Sequence, residues 1–441
     1  MTTTISAPSY LESKRLYDEA CKYIPGGSSR VHYYFEPYPI YAKSGRGSRL
    51  TDVDDVERID FLNNMTSLIH GHAHPAITTA ILDQAQRGTA YSEPAEAEIE
   101  LAKLMVERVE SVERIRFANS GTESVMLGIK LAREFTGRSK IAKFEGFYHG
   151  YYDYVQVSVR STPANWGPAG EPASTPNSGG LSSSVLSEVV TFPFNDLAAA
   201  ERLLAKHGSS IACFLVDPLA SQAGTPIPGS GFLAGLTELC RHHGVVLLYD
   251  EVVSFRLDYG GGQAVYGGTP DLTAFGKIMG GGLPVGALGG RADIMALLDP
   301  SRGAPKVLSG GTFSANPLTM VAGLAAMTLL TPGEFTRINA LGDRLRVESN
   351  RVFEQAGLRL RMGGAGSLFR LNSVSSPVVD YRSSVLNAEP MARTTAIHRH
   401  LLDDGIITAK QGGGCISTPM GDADVTQFVS ALERAVAKIG R

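Results

Sequence analysis

The sequence predicts an α/β protein with a mainly parallel central sheet and helices on both of its faces. Helical patterns such as Ala95–Val109 and Ser120–Phe135 alternate with short apolar runs that are typical of buried strands. These runs are Lys140–Phe144, Ile211–Val216 and Val245–Tyr249. Alternating strands and helices are typical of β–α–β units, in which each helix packs back onto the sheet.

The two ends of the chain differ from this central part. Charged and apolar residues alternate at helical spacing over 9–23, and the short apolar stretches of Ile40–Phe61 are typical of a small antiparallel meander. We therefore predict an N-terminal segment at 1–74, a large domain at 75–330, and a smaller domain with mixed helix and strand signals at 331–441. The stretch 150–187 is crowded with Ser, Pro and Gly and is predicted to be a lid loop.

Composition and charge favour some classes of protein over others. The 441 residues carry a formal net charge of −3, so there is no overall positive field that would attract nucleic acid or an anionic membrane. The four cysteines are scattered without the spacing of a zinc site or a disulfide framework. No stretch approaches the roughly 20 apolar residues of a membrane span. We expect a cytoplasmic protein that acts on a small molecule.

Lys277 lies in the most informative segment, Asp271–Gly286, between an apolar run and a cluster of glycines. A desolvated lysine with a lowered pKa can form an imine, because its neutral amine is the nucleophile. The neighbouring glycines would let a bulky cofactor approach the backbone. Taken alone, Lys277 is more simply interpreted as an exposed loop lysine.

Two other segments are predicted to place polar groups at ends of strands or starts of helices. Asp250 ends an apolar strand, where open parallel sheets bind ligands and where a carboxylate can pair with a pyridinium nitrogen. The run Ser120-Gly121-Thr122 begins a helical pattern, where main-chain N–H groups can bind a phosphate. Taken singly, Asp250 could be a helix cap, and the Ser-Gly-Thr run could be a capping box.

An aromatic ring at Tyr148, beside His149, could stack on a flat cofactor or be ordinary packing.

In this order, the segments resemble the class III aminotransferases of fold type I, which depend on pyridoxal 5'-phosphate. The resemblance runs over nearly the whole chain, from Ile24–Gly27 through Gly71–Pro75 to Ser309–Phe313. It is greatest with the branch that contains glutamate-1-semialdehyde aminomutase and the β-amino-acid transaminases. It implies a homodimer with a shared active site and a small domain built from both chain ends.

The resemblance also implies a role for each matching residue. Lys277 would form the Schiff base to the cofactor and carry the proton, and Asp250 would bind the pyridine nitrogen. Ser120, Gly121 and Thr122 would hold the phosphate together with Thr312 of the partner subunit. The remaining cofactor contacts would come from Tyr148 on one ring face, Val252 on the other, and His149 and Gln222 beside them.

The substrate is less well defined by the resemblance. Ser28–Val31 is similar to a loop that in β-amino-acid transaminases presents an arginine to the substrate carboxylate, which makes Arg30 a candidate although it could be a surface arginine. The segment Asp250–Arg256 is shorter than in the aminomutases and lacks their glycine. Near the C-terminus, Gln411 stands where relatives carry an arginine or an acidic residue.

We therefore expect an aminotransferase that moves an amino group from a carboxylate-bearing amine, with a β-amino acid as a candidate donor, to an α-oxo acid. The first alternative is intramolecular amino transfer, as in glutamate-1-semialdehyde aminomutase, or racemisation. A protein that binds the cofactor without catalysis is the second alternative.

Overall fold

The computed structural model describes residues 10–386 and 391–439. Its helices are α1 (Leu11–Ala20), α2 (Asn63–Thr66), α3 (Pro75–Ala85), α4 (Glu96–Arg108), α5 (Gly121–Thr136), α6 (Ser183–Ser187), α7 (Leu197–His207), α8 (Phe232–His243), α9 (Gly262–Tyr266), α10 (Ala292–Met295), α11 (Pro317–Leu329), α12 (Pro332–Ala356), α13 (Tyr381–Val385), α14 (Met391–Asp403) and α15 (Asp422–Ile439). Its strands are β1 (Ala42–Arg46), β2 (Arg49–Asp52), β3 (Glu57–Asp60), β4 (Arg114–Ala118), β5 (Lys140–Phe144), β6 (Val189–Phe192), β7 (Ile211–Val216), β8 (Val246–Asp250), β9 (Leu272–Gly276), β10 (Gly286–Gly290), β11 (Arg361–Gly363), β12 (Leu368–Asn372), β13 (Ile406–Ile407) and β14 (Gly413–Cys415).

The chain divides into two compact units. The large unit comprises Ala76–Phe335 and Pro377–Asn387, and the small unit comprises Met1–Pro75, Thr336–Ser376 and Ala388–Arg441. This division differs from the predicted boundaries because 331–335 and 377–387 group with the large unit. The second of these segments contains α13, whose side chains bond to residues 145–168 of that unit.

The large unit is built around a seven-stranded sheet in the order β4-β10-β9-β8-β7-β5-β6. The neighbouring pairs from β6 to β9 are parallel, whereas β10 is antiparallel to both β9 and β4. The predicted fold class, a mainly parallel sheet in an α/β protein, is therefore confirmed. Because β4 and β9 are both antiparallel to β10, the strand β4 runs in the same direction as the parallel set.

Both faces of this sheet are buried, as the apolar character of its strands requires. On β8, Leu248 belongs to an apolar cluster that includes Ile129 of α5. Leu247, its neighbour on the opposite face, belongs to a second cluster that includes Leu236 of α8. Successive side chains along one strand thus pack into two apolar cores, one on each face of the sheet, and helices cover both faces.

The predicted lid at 150–187 contains packed structure. Val155 and Val157 are fully buried, and the backbone N–H of Ser158 donates to the carbonyl of Thr175 at 2.7 Å. Residues 162–165 and 167–169 are exposed. That 150–187 acts as a lid stays a prediction.

The small unit combines residues from both ends of the chain. Its four-stranded sheet has the order β1-β2-β3-β13, in which the C-terminal β13 is parallel to β3, and β11-β12-β14 form a second sheet. Phe61, Phe369 and Phe428 form an aromatic cluster, with ring centroids 5.0–6.0 Å apart. The N-terminal meander predicted over Ile40–Phe61 is present as β1, β2 and β3.

Among the described residues, no single helix is long and apolar enough to cross a membrane. The pair α11 and α12, bent by 76° between them, meets that test together by length and composition only.

Candidate active site

Six strands of the large unit end at one edge of the sheet, because β4, β5, β6, β7, β8 and β9 all run in the same direction. In open α/β sheets this carboxyl edge is where ligands bind. Polar side chains stand at the end of five of these strands or within five residues after it, and these are Ser120, His149, Asp217, Asp250 and Lys277.

Asp250 and His149 form a buried pair at this edge. The Nδ1 atom of His149 lies 2.8 Å from Oδ2 of Asp250, and both residues are at least 95% buried. The other carboxylate oxygen, Oδ1, accepts the backbone N–H of Val252 at 3.1 Å. Two donors therefore fix the orientation of the Asp250 carboxylate.

Burial lowers the pKa of His149, and the nearby charge of Lys143 acts in the same direction. The Asp250 carboxylate opposes both effects without cancelling them. A neutral imidazole next to a carboxylate donates its Nδ1 proton, which assigns the tautomer and leaves Nε2 as an acceptor. His149 is thus a neutral donor to Asp250.

Lys143 is a buried cation beside this pair. Its Nζ donates to the carbonyls of Val157 at 2.8 Å and Phe144 at 3.1 Å. Burial lowers the pKa of its amine to about 7. Lys143 could not be identified from the sequence, since a lysine in a strand pattern gives no signal of burial.

The start of α5 presents the predicted phosphate cradle. Ser120 caps the helix, because its hydroxyl accepts the N–H of Glu123 at 3.2 Å, and Glu123 in turn accepts the N–H of Asn119 at 2.7 Å. A Cβ atom at Gly121 would lie 2.6 Å from a methyl group of Val252, so only glycine allows this close approach. The first N–H groups of a 16-residue helix carry partial positive charge and favour an anion.

Lys277 follows β9 directly and has a left-handed backbone, with φ at 47°. This conformation is strained for lysine, and such strain is concentrated at functional sites. The charge of Lys277 lowers the pKa of Asp217, whereas burial and the charge of Asp250 raise it well above its usual range. Lys277, Asp217 and Asp250 therefore belong to one electrostatic cluster.

Asp217 was missed by the sequence argument, although the signal was present. It follows the apolar strand β7 just as Asp250 ends β8, and its Oδ1 accepts the N–H of Leu219 at 2.9 Å. Reading the last residue of every predicted parallel strand would have found it.

The other predicted cofactor contacts are distributed around this edge. Tyr148 is half-buried, and its ring centroid lies 6.0 Å from that of Tyr151; burial raises its pKa. Gln222 lies partly exposed in a short turn after β7. Thr312 lies on an exposed loop, where Ser314 Oγ is 3.5 Å from Asn119 Nδ2 of the same chain.

The two predicted substrate residues belong to the small unit. Arg30 is exposed, and both terminal nitrogens of its guanidinium donate to Asn64 Oδ1 at 2.8 Å. Gln411 is also exposed and precedes β14. The structure therefore groups Lys277, Asp250, His149 and the helix start in the large unit, with Arg30 and Gln411 in the small unit.

Comparison with known proteins gives the family. Residues 33–436 match the family model for aminotransferase class III. Glutamate-1-semialdehyde 2,1-aminomutase 2 of Bacillus licheniformis is 36% identical over 98% of this chain and 99% of its own length. An ω-transaminase from Sphaerobacter thermophilus has a TM-score of 0.93 at 48% identity, covering 96% of this chain and 97% of that one. A β-phenylalanine aminotransferase from Variovorax paradoxus has a TM-score of 0.86 at 32% identity, covering 97% and 94%.

The chain belongs to the class III aminotransferases, enzymes that use pyridoxal phosphate. The residues of the carboxyl edge fit this cofactor. A protonated ring nitrogen needs an acceptor such as the fixed Asp250 carboxylate, a phosphate suits the start of α5, and an aldehyde needs an amine such as that of Lys277. When bound, the cofactor supplies the aldehyde and an electron-withdrawing ring.

Proposed function

We propose that this enzyme transfers an amino group from a carboxylate-bearing amine, with β-amino acids as the preferred donors, to an α-oxo acid. The observation that carries the proposal is the cluster at the carboxyl edge, where Asp250 ends β8, Lys277 follows the neighbouring strand β9, and the charges of both act on the buried Asp217. A lysine that can lose its proton, next to an acceptor for a ring nitrogen, is what amino transfer requires of a protein.

Each residue of the cluster has a separate task in this proposal. The Lys277 amine would hold the cofactor through its aldehyde and would move a proton at the carbon of the substrate that bears the amino group. Asp250 accepts the N–H of the pyridine ring, and His149 keeps the carboxylate in the orientation that this bond needs. Ser120, Gly121 and Thr122 would bind the phosphate and so hold the cofactor in place relative to Lys277.

Arg30 is proposed to bind the substrate carboxylate. A guanidinium offers a planar pair of N–H donors that matches a carboxylate in two-point geometry. The similarity to the β-phenylalanine aminotransferase, at 32% identity, supports a β-amino acid as the donor. Gln411 is proposed to contact the substrate as well.

Product analysis tests the transfer. The purified enzyme is incubated with α- or β-amino acid donors and with an α-oxo acid, and the amino acid formed from the acceptor is measured. We expect an amino product that depends on both compounds, with β-phenylalanine or β-alanine among the better donors. Failure of every donor in the panel to aminate any oxo acid would refute the proposal.

Intramolecular amino transfer is the second candidate. The observation that favours it is the 36% identity, over nearly the full length, to a protein named as a glutamate-1-semialdehyde aminomutase. Conversion of glutamate-1-semialdehyde without any added oxo acid would support this function. The absence of turnover with that substrate, together with transfer to an added acceptor, would exclude it.

We further propose a homodimer in a cytoplasmic setting. The loop that bears Thr312 also exposes Leu308 and Phe313, whose exposed fractions are 81% and 61%. Apolar side chains this exposed are common at interfaces between subunits. In this proposal a partner covers them, and Thr312 on the same loop contributes to the partner's phosphate site.

A further inference from the structure

The guanidinium of Arg30 is held by one oxygen atom. Both terminal nitrogens of Arg30 donate to Asn64 Oδ1 at 2.8 Å, and the hydroxyl of Tyr33 donates to the same atom at 2.9 Å. The centre of the guanidinium also lies 4.3 Å from the centroid of the Tyr33 ring. Asn64 and Tyr33 together fix an arginine that is exposed and would otherwise sample many rotamers.

The side-chain amide of Asn64 is held in turn by Ser67, which is bonded to the Asn64 backbone. Its Nδ2 donates to Ser67 Oγ at 3.0 Å, and that hydroxyl donates to the Asn64 carbonyl at 2.9 Å. This amide therefore cannot rotate without losing bonds on both of its sides. The Asn64 oxygen points at Arg30 because the amide nitrogen is already engaged.

The backbone around Asn64 is strained. The turn α2 (Asn63–Thr66) is left-handed, with φ values of 48°, 48°, 55° and 72° in four residues that are not glycine. Such backbone is unfavourable for residues other than glycine and persists only where other contacts impose it. Here Asp60 Oδ1 accepts the N–H groups of Leu62 at 2.9 Å and Asn63 at 2.8 Å.

Asn64, which anchors Arg30, carries an amide and not a carboxylate, and this chemical difference matters as much as its position. An amide oxygen accepts hydrogen bonds without neutralising the guanidinium, so Arg30 keeps its full charge for an incoming anion. A carboxylate of the same shape at this position would form an ion pair with Arg30 and would compete with that anion.

We propose that Asn64 is a positioning and specificity-determining residue, which aims Arg30 and preserves its charge for the carboxylate of the substrate. This inference rests on the proposed function, in which Arg30 binds that carboxylate. It predicts that the isosteric change Asn64→Asp selectively weakens the binding of carboxylates. Amines without a carboxylate should react as before.

Calorimetry on the holoenzyme measures the affinity for a carboxylate directly, with the unreactive compound 3-phenylpropanoate as the ligand. We expect Asn64→Asp to weaken its binding on the order of tenfold or more, since a hydrogen-bonded charge pair is worth this much. Steady-state kinetics should show a similar rise in KM for β-phenylalanine with little change in kcat. The KM for 1-phenylethylamine, which lacks a carboxylate, should not change.

The matched control is Gln355→Glu, which makes the same amide-to-carboxylate change at an exposed position of α12. It should leave all three measurements unaltered. If Asn64→Asp does not fold, Asn64→Ala removes the anchor without adding charge and should weaken 3-phenylpropanoate binding severalfold. Unchanged binding in a folded Asn64 variant would overturn the inference.

Arg30→Met separates this inference from the proposed function beneath it. If Arg30→Met weakens 3-phenylpropanoate binding but Asn64→Asp does not, the role of Asn64 is refuted and that of Arg30 stands. If Arg30→Met leaves carboxylate binding unchanged, the proposed role of Arg30 fails, and the inference about Asn64 fails with it.

Discussion

A buried imidazole stabilises a neighbouring carboxylate only when it holds its proton on the side that faces the acid. At the carboxyl edge this side is Nδ1 of His149, 2.8 Å from Asp250. Burial lowers the pKa of the ring, so His149 is neutral at physiological pH and acts as a directional donor. Orientation of Asp250 therefore depends in part on the Nδ1 proton of His149, beside the backbone N–H of Val252.

Replacing His149 with Leu removes this donor and keeps a comparable volume. We expect kcat to fall roughly 10- to 100-fold, as is typical when the partner that orients a functional group is lost. The affinity for pyridoxal phosphate should fall too, which equilibrium dialysis measures apart from activity. A variant with unchanged kcat and cofactor affinity would show that Asp250 needs no orienting partner.

Some residues of the candidate site could be predicted from the sequence and others could not. Lys277, Asp250 and the Ser120 run could be predicted because each stands at the end of a strand or the start of a helix, positions that local patterns reveal. The contact between His149 and Asp250 could not be predicted, since the two are 101 positions apart. Asn64 gave no signal because its role depends on a left-handed turn of four successive residues that are not glycine, which no local pattern indicates.

At the scale of elements, the short helix α13 stabilises the turn that leads to Tyr148. Arg382 donates to both oxygens of the buried Glu145, at 2.7 and 3.3 Å, and its guanidinium lies 4.6 Å from the centroid of the Trp166 ring. A Cβ atom at Gly146 would overlap the ring of Tyr381. The sequence could not reveal this contact, because α13 joins the large unit from 237 positions away.

Arg382→Met should therefore destabilise the large unit. Loss of one partner leaves the Glu145 carboxylate buried without its counter-ion, which costs about 3 kcal/mol. With the single variant Glu145→Gln as the second reference, the double variant Glu145→Gln with Arg382→Met should recover much of this loss, since the carboxylate that Arg382 pairs with is then removed as well. Urea unfolding of the four proteins measures both effects, and a loss below about 1 kcal/mol in the single variant would contradict the account.

The helix α14 carries a second buried histidine, His398. Burial lowers its pKa from 6.5 to about 4, with a further contribution from the charges of Lys410 and Arg399. The unfolded chain therefore binds a proton that the folded chain rejects. The stabilising contribution of neutral His398 is full above pH 6.5 and is lost as the pH falls towards 4.

We expect His398→Gln to remove this part of the pH dependence. Between pH 6.5 and 4 the parent protein should lose up to about 3 kcal/mol more stability than the variant, from the same proton linkage. Thermal unfolding at pH 7 and pH 4.5 compares the two proteins. Equal losses in both would mean that His398 is protonated in the folded state.

At the scale of the whole molecule, the small unit is assembled from three separate segments of chain. The sequence predicted a small domain from both ends by resemblance, but the division at 376 and 387 has no local signature. Two strands of one sheet, β3 and β13, are separated by more than 340 positions and still pair. Such pairing depends on tertiary packing and not on local propensity.

The proposed shared site makes a prediction for mixed dimers. Lys277→Ala removes the attachment point, and Thr312→Glu puts a negative charge where the partner's phosphate is expected, so each variant alone should be inactive. In a mixed dimer, one site keeps both Lys277 and Thr312. Random pairing makes half of the dimers mixed, so about a quarter of the parent activity should return.

Refolding or co-expression of the two variants, followed by an activity assay, tests this arrangement. If Thr312 serves the site of its own chain, as its loop beside Asn119 allows, both sites of a mixed dimer are defective. No recovery of activity in confirmed mixed dimers would therefore contradict a shared site.

The proposed function depends above all on Lys277 being the residue to which pyridoxal phosphate attaches. Reduction with borohydride makes that attachment permanent, and peptide mapping by mass spectrometry then identifies the lysine. The account predicts the adduct on Lys277 of the parent protein, and neither an adduct nor a visible cofactor band in Lys277→Ala. An adduct on another lysine, such as the buried Lys143 whose pKa is about 7, would contradict it.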